Sequence, residues 1–469
     1  MTTIDSLADG QRFLARLRDE YRSFFAADAP LILARAPGRL DVMGGIADYS
    51  GATVCEMPIA EAAFVALQPR ADDTIRIRTT ADVTTNEVSI TLNELPTEYE
   101  AARQRLTSNE ETMWAAYVLG AFAVLAHEGG MALMAGANVL LDSAVPLGKG
   151  VSSSAAIEVA TLRALTAAAG LDVSSYELAT LAQTIENRVV GAPCGLMDQL
   201  TSVFGETHHL LKIQCQPGGE IARLAIPDDV HFVGIDSGVR HAVTGASYGD
   251  VRVAAFMGYR MIAEVLDLQW ELEGLGMVRV DDPQYQGFLC NIPLEEFEIR
   301  FAGLLPEQTK GKDFLARLGG ITDTVTSVDP AKSYAVRAAT MHPVEEQARG
   351  QNFIALLAAP MTHEKLLSLG ALMYQSHASY SRCGLGSDAT DALVEAVRQA
   401  GPERGVFGAK ITGGGSGGTV AVLAKGESGL ATATEIAAQH AKQYGIDPYI
   451  FRGSSPGAAQ VEPFLLEQL

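Results

Sequence analysis

At 469 residues, 48% of them hydrophobic and 19% charged, the chain is long enough for two packed domains and too apolar for a disordered scaffold. Its 35 basic and 56 acidic residues give a net charge of −21, so its surface repels nucleic acid and anionic membranes, and an anionic ligand needs a local site. Cys55, Cys194, Cys215, Cys290 and Cys383 are scattered with no CxxC pair, which argues against a zinc site or a disulfide framework. The acidic N-terminus does not read as a signal peptide and no apolar run, such as 131–141, matches a membrane span, so a soluble, cytoplasmic protein is expected.

The first thirty residues predict a helix with Leu7, Phe13, Leu14, Leu17, Tyr21 and Phe24 on one face. Residues 31–36 read as a short strand stopped by the turn Pro37-Gly38, and 54–67 and 74–92 as β segments. A long apolar helix spans 112–127, a buried strand 139–141, and an Ala-rich helix 151–169 ends at the C-cap Gly170. Ser174 and Glu177 form a capping box for the next helix, whose stripe is Leu178, Leu181, Ile185 and Val189. The turn Pro217-Gly218-Gly219 reads as a domain boundary, followed by helices at 251–266, 363–376, 388–399 and 431–444 and strands at 231–235 and 418–423. The order suggests two α+β domains with a site between them: an N-terminal extension (1–29), a first domain (30–219) and a second (220–469).

Three segments carry chemistry. Pro146-Leu147-Gly148-Lys149-Gly150-Val151-Ser152-Ser153-Ser154-Ala155-Ala156 is a strand, a glycine turn, three hydroxyls and a helix start. Backbone N–H groups at a helix N-terminus bind phosphate without net positive charge, and a serine hydroxyl can ligate Mg²⁺, although no GxxxxGK[ST] loop is present. Taken alone, such a loop is as often an ordinary N-cap. In the second segment Glu186 lies on a helix and Asp198 follows a Gly/Pro/Gly turn, so the two carboxylates could divide metal binding and proton acceptance; spacing alone favours a solvated glutamate and a capping aspartate. The third, Thr412-Gly413-Gly414-Gly415-Ser416-Gly417-Gly418, holds five glycines in six positions, more than a turn needs, which points to close packing against a ligand or another loop.

Together with Pro37-Gly38-Arg39, these segments resemble the galactose/homoserine/mevalonate/phosphomevalonate (GHMP) kinase superfamily over about 31–451. Residues 36–51, Trp114 to Gly120, and Val239-Arg240-His241 with Tyr248 are similar to galactokinase signatures, while Gly44-Gly45-Ile46-Ala47-Asp48-Tyr49 and 379–388 resemble the kinase portion of plant L-arabinokinases. The resemblance implies a two-domain fold, an N-terminal ribosomal-protein-S5-like and a C-terminal ferredoxin-like domain, and transfer of phosphoryl from ATP, with Mg²⁺, to a sugar's anomeric hydroxyl. It implies Asp198 as the residue taking the sugar O1 proton and Arg39 as the stabiliser of charge there. It places ATP at Gly148, Lys149, Gly150, Val151, Ser152, Ser153, Ser154 and Ala155, with Gly414 and Gly415 over the transferred group and Trp114 and Tyr117 near the adenine; Ser154 and Glu186 would hold the metal. Asp48, Gly195 and Tyr248 match sugar contacts.

Two departures matter. Galactokinases place a glutamate and a histidine where this chain has Gly45 and Ile46, and that glutamate holds the sugar's 6-hydroxyl, which L-arabinose lacks. Gly45 therefore fits a pentose, and Ile46 is expected to exclude the extra carbon. The resemblance thus implies L-arabinose as substrate, with a galactokinase or broad monosaccharide 1-kinase as the alternative and a non-catalytic sugar and ATP sensor as the second; Asp198, Arg39, Ser154 and Glu186 together argue against the sensor. Lys149 and Ser416 replace residues of other types and carry no assigned role, and the oligomeric state is not readable.

Overall fold

The computed structural model describes residues 2–128, 135–239, 248–274, 276–447 and 449–469. Its larger sheet has eight strands, running Phe464–Leu466, Leu31–Met43, Thr53–Pro69, Ala137–Ser143, Thr74–Thr79 and Glu87–Thr91, with His209–Gln214 and Ile221–Ala225 added along the far half of Thr53–Pro69. All its pairs are antiparallel except Thr74–Thr79 with Ala137–Ser143. Val54, Val65, Leu67, Val139 and Leu141 send buried side chains to one face. The helices Ala116–Glu128 and Ser153–Ala169 cover that face and are buried nearly all round.

The amphipathic N-terminal helix is Ala8–Asp19. Its Phe13, Leu14 and Leu17, with Phe24, pack on the opposite face of the sheet, Phe13 stacking on Phe64 at 4.9 Å; Leu7 and Tyr21 lie at the edge of that cluster.

The second sheet has the order Val406–Ile411, Thr419–Lys425, Val230–Asp236, Ile450–Phe451, all antiparallel. With the helices His363–Arg382, Asp388–Ala400 and Gly426–Tyr444, it forms the β-α-β-β-α-β arrangement of a ferredoxin-like domain. A separate helical core, built on Tyr248–Val265, Leu294–Arg300, Gly311–Leu318 and Val336–Leu357, takes in Ile46 and Tyr49 from the first domain.

Three sequence expectations are corrected. Pro37-Gly38 does not end a strand: Leu31–Met43 runs through it, with the register against the next strand shifting between Pro37 and Arg39. That bulge absorbs the proline's missing N–H. The turn at 217–219 does not separate domains but joins two strands of the large sheet, and 464–466 return to that sheet from the chain's far end. Ser174 accepts from the Glu177 N–H, a single cap bond rather than a reciprocal box. Beyond Thr184 that helix widens into a π turn, Ile185–Val190.

One buried ion pair joins the two sheets. Lys410 Nζ lies 2.6 Å from Asp41 Oδ2, and both side chains are fully buried. Lys410→Met should lower unfolding stability by about 3–5 kcal/mol, because it strands a buried carboxylate. Adding Asp41→Asn should recover most of that loss; denaturant unfolding of both variants checks it.

Candidate active site

Arg39 stands where the three chemical segments meet. Its strand position is pinned by its own N–H to Val151 O at 2.9 Å, and Gly38 is required there because a Cβ would lie 2.6 Å from that same carbonyl. The buried guanidinium donates from Nε to Asp198 Oδ1 at 3.0 Å, a second time from Nη2 to the same oxygen, and from Nη1 to Gly150 O at 3.3 Å. Burial alone would lower its pKa, but Asp198, Glu56 and Asp41 together raise it above the ordinary value. Glu56 Oε2 is 3.3 Å from Arg39 Nε, yet neither Glu56 oxygen completes a hydrogen bond, and burial followed by repulsion from Asp41 pushes its pKa well up.

The Gly148–Ser154 loop wraps the start of helix Ser153–Ala169, with Gly148, Gly150 and the N-cap Ser152 all in the left-handed region. Against it sits the glycine loop. A Cβ on Gly413 would be 2.9 Å from Gly150 O, and one on Gly418 2.8 Å from Lys149 O. Both glycines have positive φ, so the two loops touch backbone to backbone only because they lack side chains. Between them opens a cleft of about 330 Å³ lined by Arg39, Tyr117, Gly148, Ser154, Asp198 and Gly414 among others. Leu147, half exposed, stands at the same cleft.

Glu186 projects from the π turn, a common device for aiming a functional side chain. Gln199 Nε2 donates to it at 2.8 Å, and the Ser154 hydroxyl favours its charged form. Burial, then repulsion from Asp198, pushes its pKa up to about 7. Gln199 also reaches Glu158 Oε2 at 3.4 Å; Glu158 is fully buried, its other oxygen has no partner, and burial raises its pKa well above the carboxylate range. Among the described residues no group of three or more His, Cys, Asp or Glu forms a metal cage. A hydroxyl and a carboxylate beside a phosphate loop nevertheless fit Mg²⁺, which takes few protein oxygens and completes its shell with phosphate and water.

A second cleft, about 420 Å³, is lined by Asp48, Tyr49, Cys194, Gly195 and Arg252. Asp48 Oδ1 has no partner, and burial, then Asp198, pushes its pKa up to about 6. A Cβ on Gly195 would sit 1.7 Å from Asp48 Oδ2, so glycine there is what lets the carboxylate stand against the loop. Arg252 fixes that loop, donating Nη1 to Cys194 O at 2.9 Å while its other nitrogens grip Asp323 at 2.7 and 2.8 Å. Tyr248 packs edge-on to Tyr49, centroids 5.8 Å apart; Arg240 and His241 lie outside the described residues.

The structure thus brings Arg39, Asp198, Ser154, Tyr117, Gly148, Gly150, Ser152, Ser153 and Gly414 around one cleft and Asp48 and Gly195 around the second, while Glu186, buried and bonded to Gln199, lines neither. Other expected positions fall elsewhere. Lys149 Nζ pairs with Asp236 Oδ2 at 2.7 Å, Trp114 Nε1 donates to Thr85 O at 2.9 Å, and Gly415 packs against Leu385; none of the three lines the cleft. Val151 and Ala155 are buried under the loop. Gly45 and Ile46 line neither cleft. Ile46, expected to exclude a sugar's extra carbon, is fully buried in the helical core at φ 52°, a strained value for a β-branched residue. Glu56, Glu158 and Arg252 were missed. The signal for the first two was an acid within a mostly apolar strand and a lone acid within an Ala-rich helix.

Family models match this arrangement: GHMP kinases N terminal domain at 116–206, GHMP kinases C terminal at 355–444 and the galactokinase galactose-binding signature at 19–69. The chain is 40% identical to an L-arabinokinase of Arabidopsis thaliana across 97% of its own length, while spanning about half (49%) of that relative. It is 31% identical to a galactokinase of Chloroflexus aurantiacus, covering 87% of this chain and 88% of the other. A galactokinase of Lactococcus lactis complexed with galactose shares the fold at TM-score 0.72 and 20% identity, covering 95% and 99% of the two chains. The chain belongs to the GHMP kinase family, in its galactokinase branch. It is a sugar 1-kinase of the galactokinase and L-arabinokinase type, a family whose activity implies ATP. Among the described residues no helix is long and apolar enough to cross a membrane.

Gly195→Ala should displace Asp48 and lower kcat/KM for the sugar about a hundredfold while leaving the KM for ATP unchanged. Saturation kinetics in each substrate separate the two.

Proposed function

We propose that this chain transfers the γ-phosphoryl group of ATP to the anomeric hydroxyl of L-arabinose. The observation that carries the pentose reading is at Gly45: a Cβ there would stand 1.8 Å from Tyr380 Oη and 2.1 Å from Asp41 Oδ2, so this protein has no room for a carboxylate at the position where the family resemblance puts the partner of a 6-hydroxyl. A hexose would lose the hydration of that hydroxyl without gaining an acceptor. The 40% identity to the L-arabinokinase supports the same substrate, and the galactose-binding signature at 19–69 favours a galactokinase as the second reading.

In this reading the sugar lies between Asp48 and Asp198, with its O1 facing the phosphate cleft. Asp198 orients the hydroxyl and accepts its proton late, since a carboxylate is a weak base for an alcohol. Arg39, already bonded to Asp198, faces the negative charge that grows on the attacking oxygen. The Gly148–Ser154 amides cradle the phosphates, and Gly413 and Gly414 close the other side, so the residues position and screen rather than form bonds. Ser154 and Glu186 would hold Mg²⁺, which neutralises charge on the transferred phosphoryl when bound.

ADP release measured across monosaccharides tests the substrate: L-arabinose should exceed D-galactose in kcat/KM by about 10- to 200-fold. Equal efficiencies would leave a broad sugar 1-kinase. A second expectation concerns pH. The cation needs Glu186 ionised, and below about 7 the proton holds that carboxylate. Mg²⁺ affinity should therefore fall about tenfold for each pH unit below 7 and level off above it, and Glu186→Gln should weaken binding and flatten the dependence.

A further inference from the structure

The two sequence segments that resemble L-arabinokinases, 44–49 and 379–388, meet at one hydroxyl. Tyr380 is fully buried on helix His363–Arg382, with Lys410 Nζ over its ring at 5.3 Å and the His342 ring edge-on at 5.3 Å. Its Oη donates to the Gly413 carbonyl at 2.9 Å and lies 3.3 Å from Asp41 Oδ2. The same oxygen occupies the space that a side chain at residue 45 would need.

The 44–45 turn is held in place from the same direction. Gly44 N donates to Glu346 Oε1 at 3.2 Å, and His342 Nε2 lies 3.0 Å from Gly45 O. A carbonyl can only accept, so Nε2 carries the proton. Burial lowers the His342 pKa to about 4, leaving the ring neutral, and Nδ1 then accepts from the Ser379 hydroxyl at 2.8 Å. One helix therefore grips the 44–45 turn through Ser379 and the glycine loop through Tyr380.

We propose that Tyr380 is a positioning residue for phosphoryl transfer. Its hydroxyl fixes the Gly413 carbonyl, and with it the Gly413-Gly414 turn beside Arg39, and it has room to do so only because position 45 carries no side chain. The inference rests on the sugar-kinase site described above and not on which sugar is taken.

The test is a double-mutant cycle of Tyr380→Phe and Gly45→Ala, followed by steady-state kinetics and thermal unfolding. Phe removes the oxygen at 1.8 Å, and no other Tyr380 atom comes nearer than 3.0 Å to the added Cβ; Asp41 Oδ2, 2.1 Å from that Cβ and held by Lys410, then remains as the one close contact among the three nearest atoms. Tyr380→Phe should fold, lower kcat about tenfold and leave both KM values within about twofold. Gly45→Ala should cost at least about tenfold less in kcat on the Phe background than on the wild type, or, if Gly45→Ala alone does not fold, the double variant should. A kcat for Tyr380→Phe within twofold of wild type, or equal damage from Gly45→Ala in both backgrounds, would overturn the proposal. An equal efficiency of the unmodified protein on L-arabinose and D-galactose would refute the substrate reading alone, because the cycle is read with either sugar.

Discussion

A buried guanidinium needs carboxylates around it, and the architecture at the domain junction follows from how Arg39 obtains them. Removing a charge of this kind from water is affordable only with close partners of opposite sign. Asp198 supplies two of its bonds from the start of helix Met197–Phe204, and Glu56 stands against it from the neighbouring strand, directly across from Asp41. The glycine turn of the phosphate loop must then pass close enough for Gly150 O to take the remaining nitrogen. Strand, helix start and glycine turn meet at one side chain.

The same arrangement leaves the site short of hydrogen bonds in a useful way. Asp48 Oδ1, Glu158 Oε1, Ser152 Oγ and both Glu56 oxygens have no hydrogen-bond partner among the described residues, and Glu186 is held at about 7 by burial and by Asp198. Carboxylates crowded in this manner repel one another, and in the proposed function a bound cation would relieve the crowding. On the second domain's side the charges are matched instead: Lys410 neutralises Asp41, and Glu346, against its burial, is held at about 2 chiefly by Arg349. One side pairs its charges, and the other crowds them.

Much of this was legible in the sequence. The glycine excess at 413–418 pointed to close packing against a ligand or another loop, and Gly413 and Gly418 pack against Gly150 and Lys149 of another loop. The order of motifs pointed to the fold, and of the four residues that the resemblance assigned to catalysis and metal, Arg39, Asp198 and Ser154 line one cleft. What stayed hidden depends on contacts between distant segments. Pro37-Gly38 looked like a strand end because a bulge has no local signature; 217–219 looked like a boundary because a hairpin and a linker use the same residues. Gly45 was read as an empty place beside the sugar, whereas Tyr380, 335 positions away in the chain (380 − 45), fills it. Ile46 was read as the residue that excludes the extra carbon, and its side chain lies in the helical core.

The central claim is that Arg39 and Asp198 act as one unit on the attacking oxygen, and a double-mutant cycle in kcat tests it most directly. Groups that act together are lost together. The account predicts that Arg39→Ala and Asp198→Asn each lower kcat by about a thousandfold or more, and that the double variant is no worse than the poorer single one by more than about fivefold. Losses that multiply in the double variant would show two independent contributions and contradict the account.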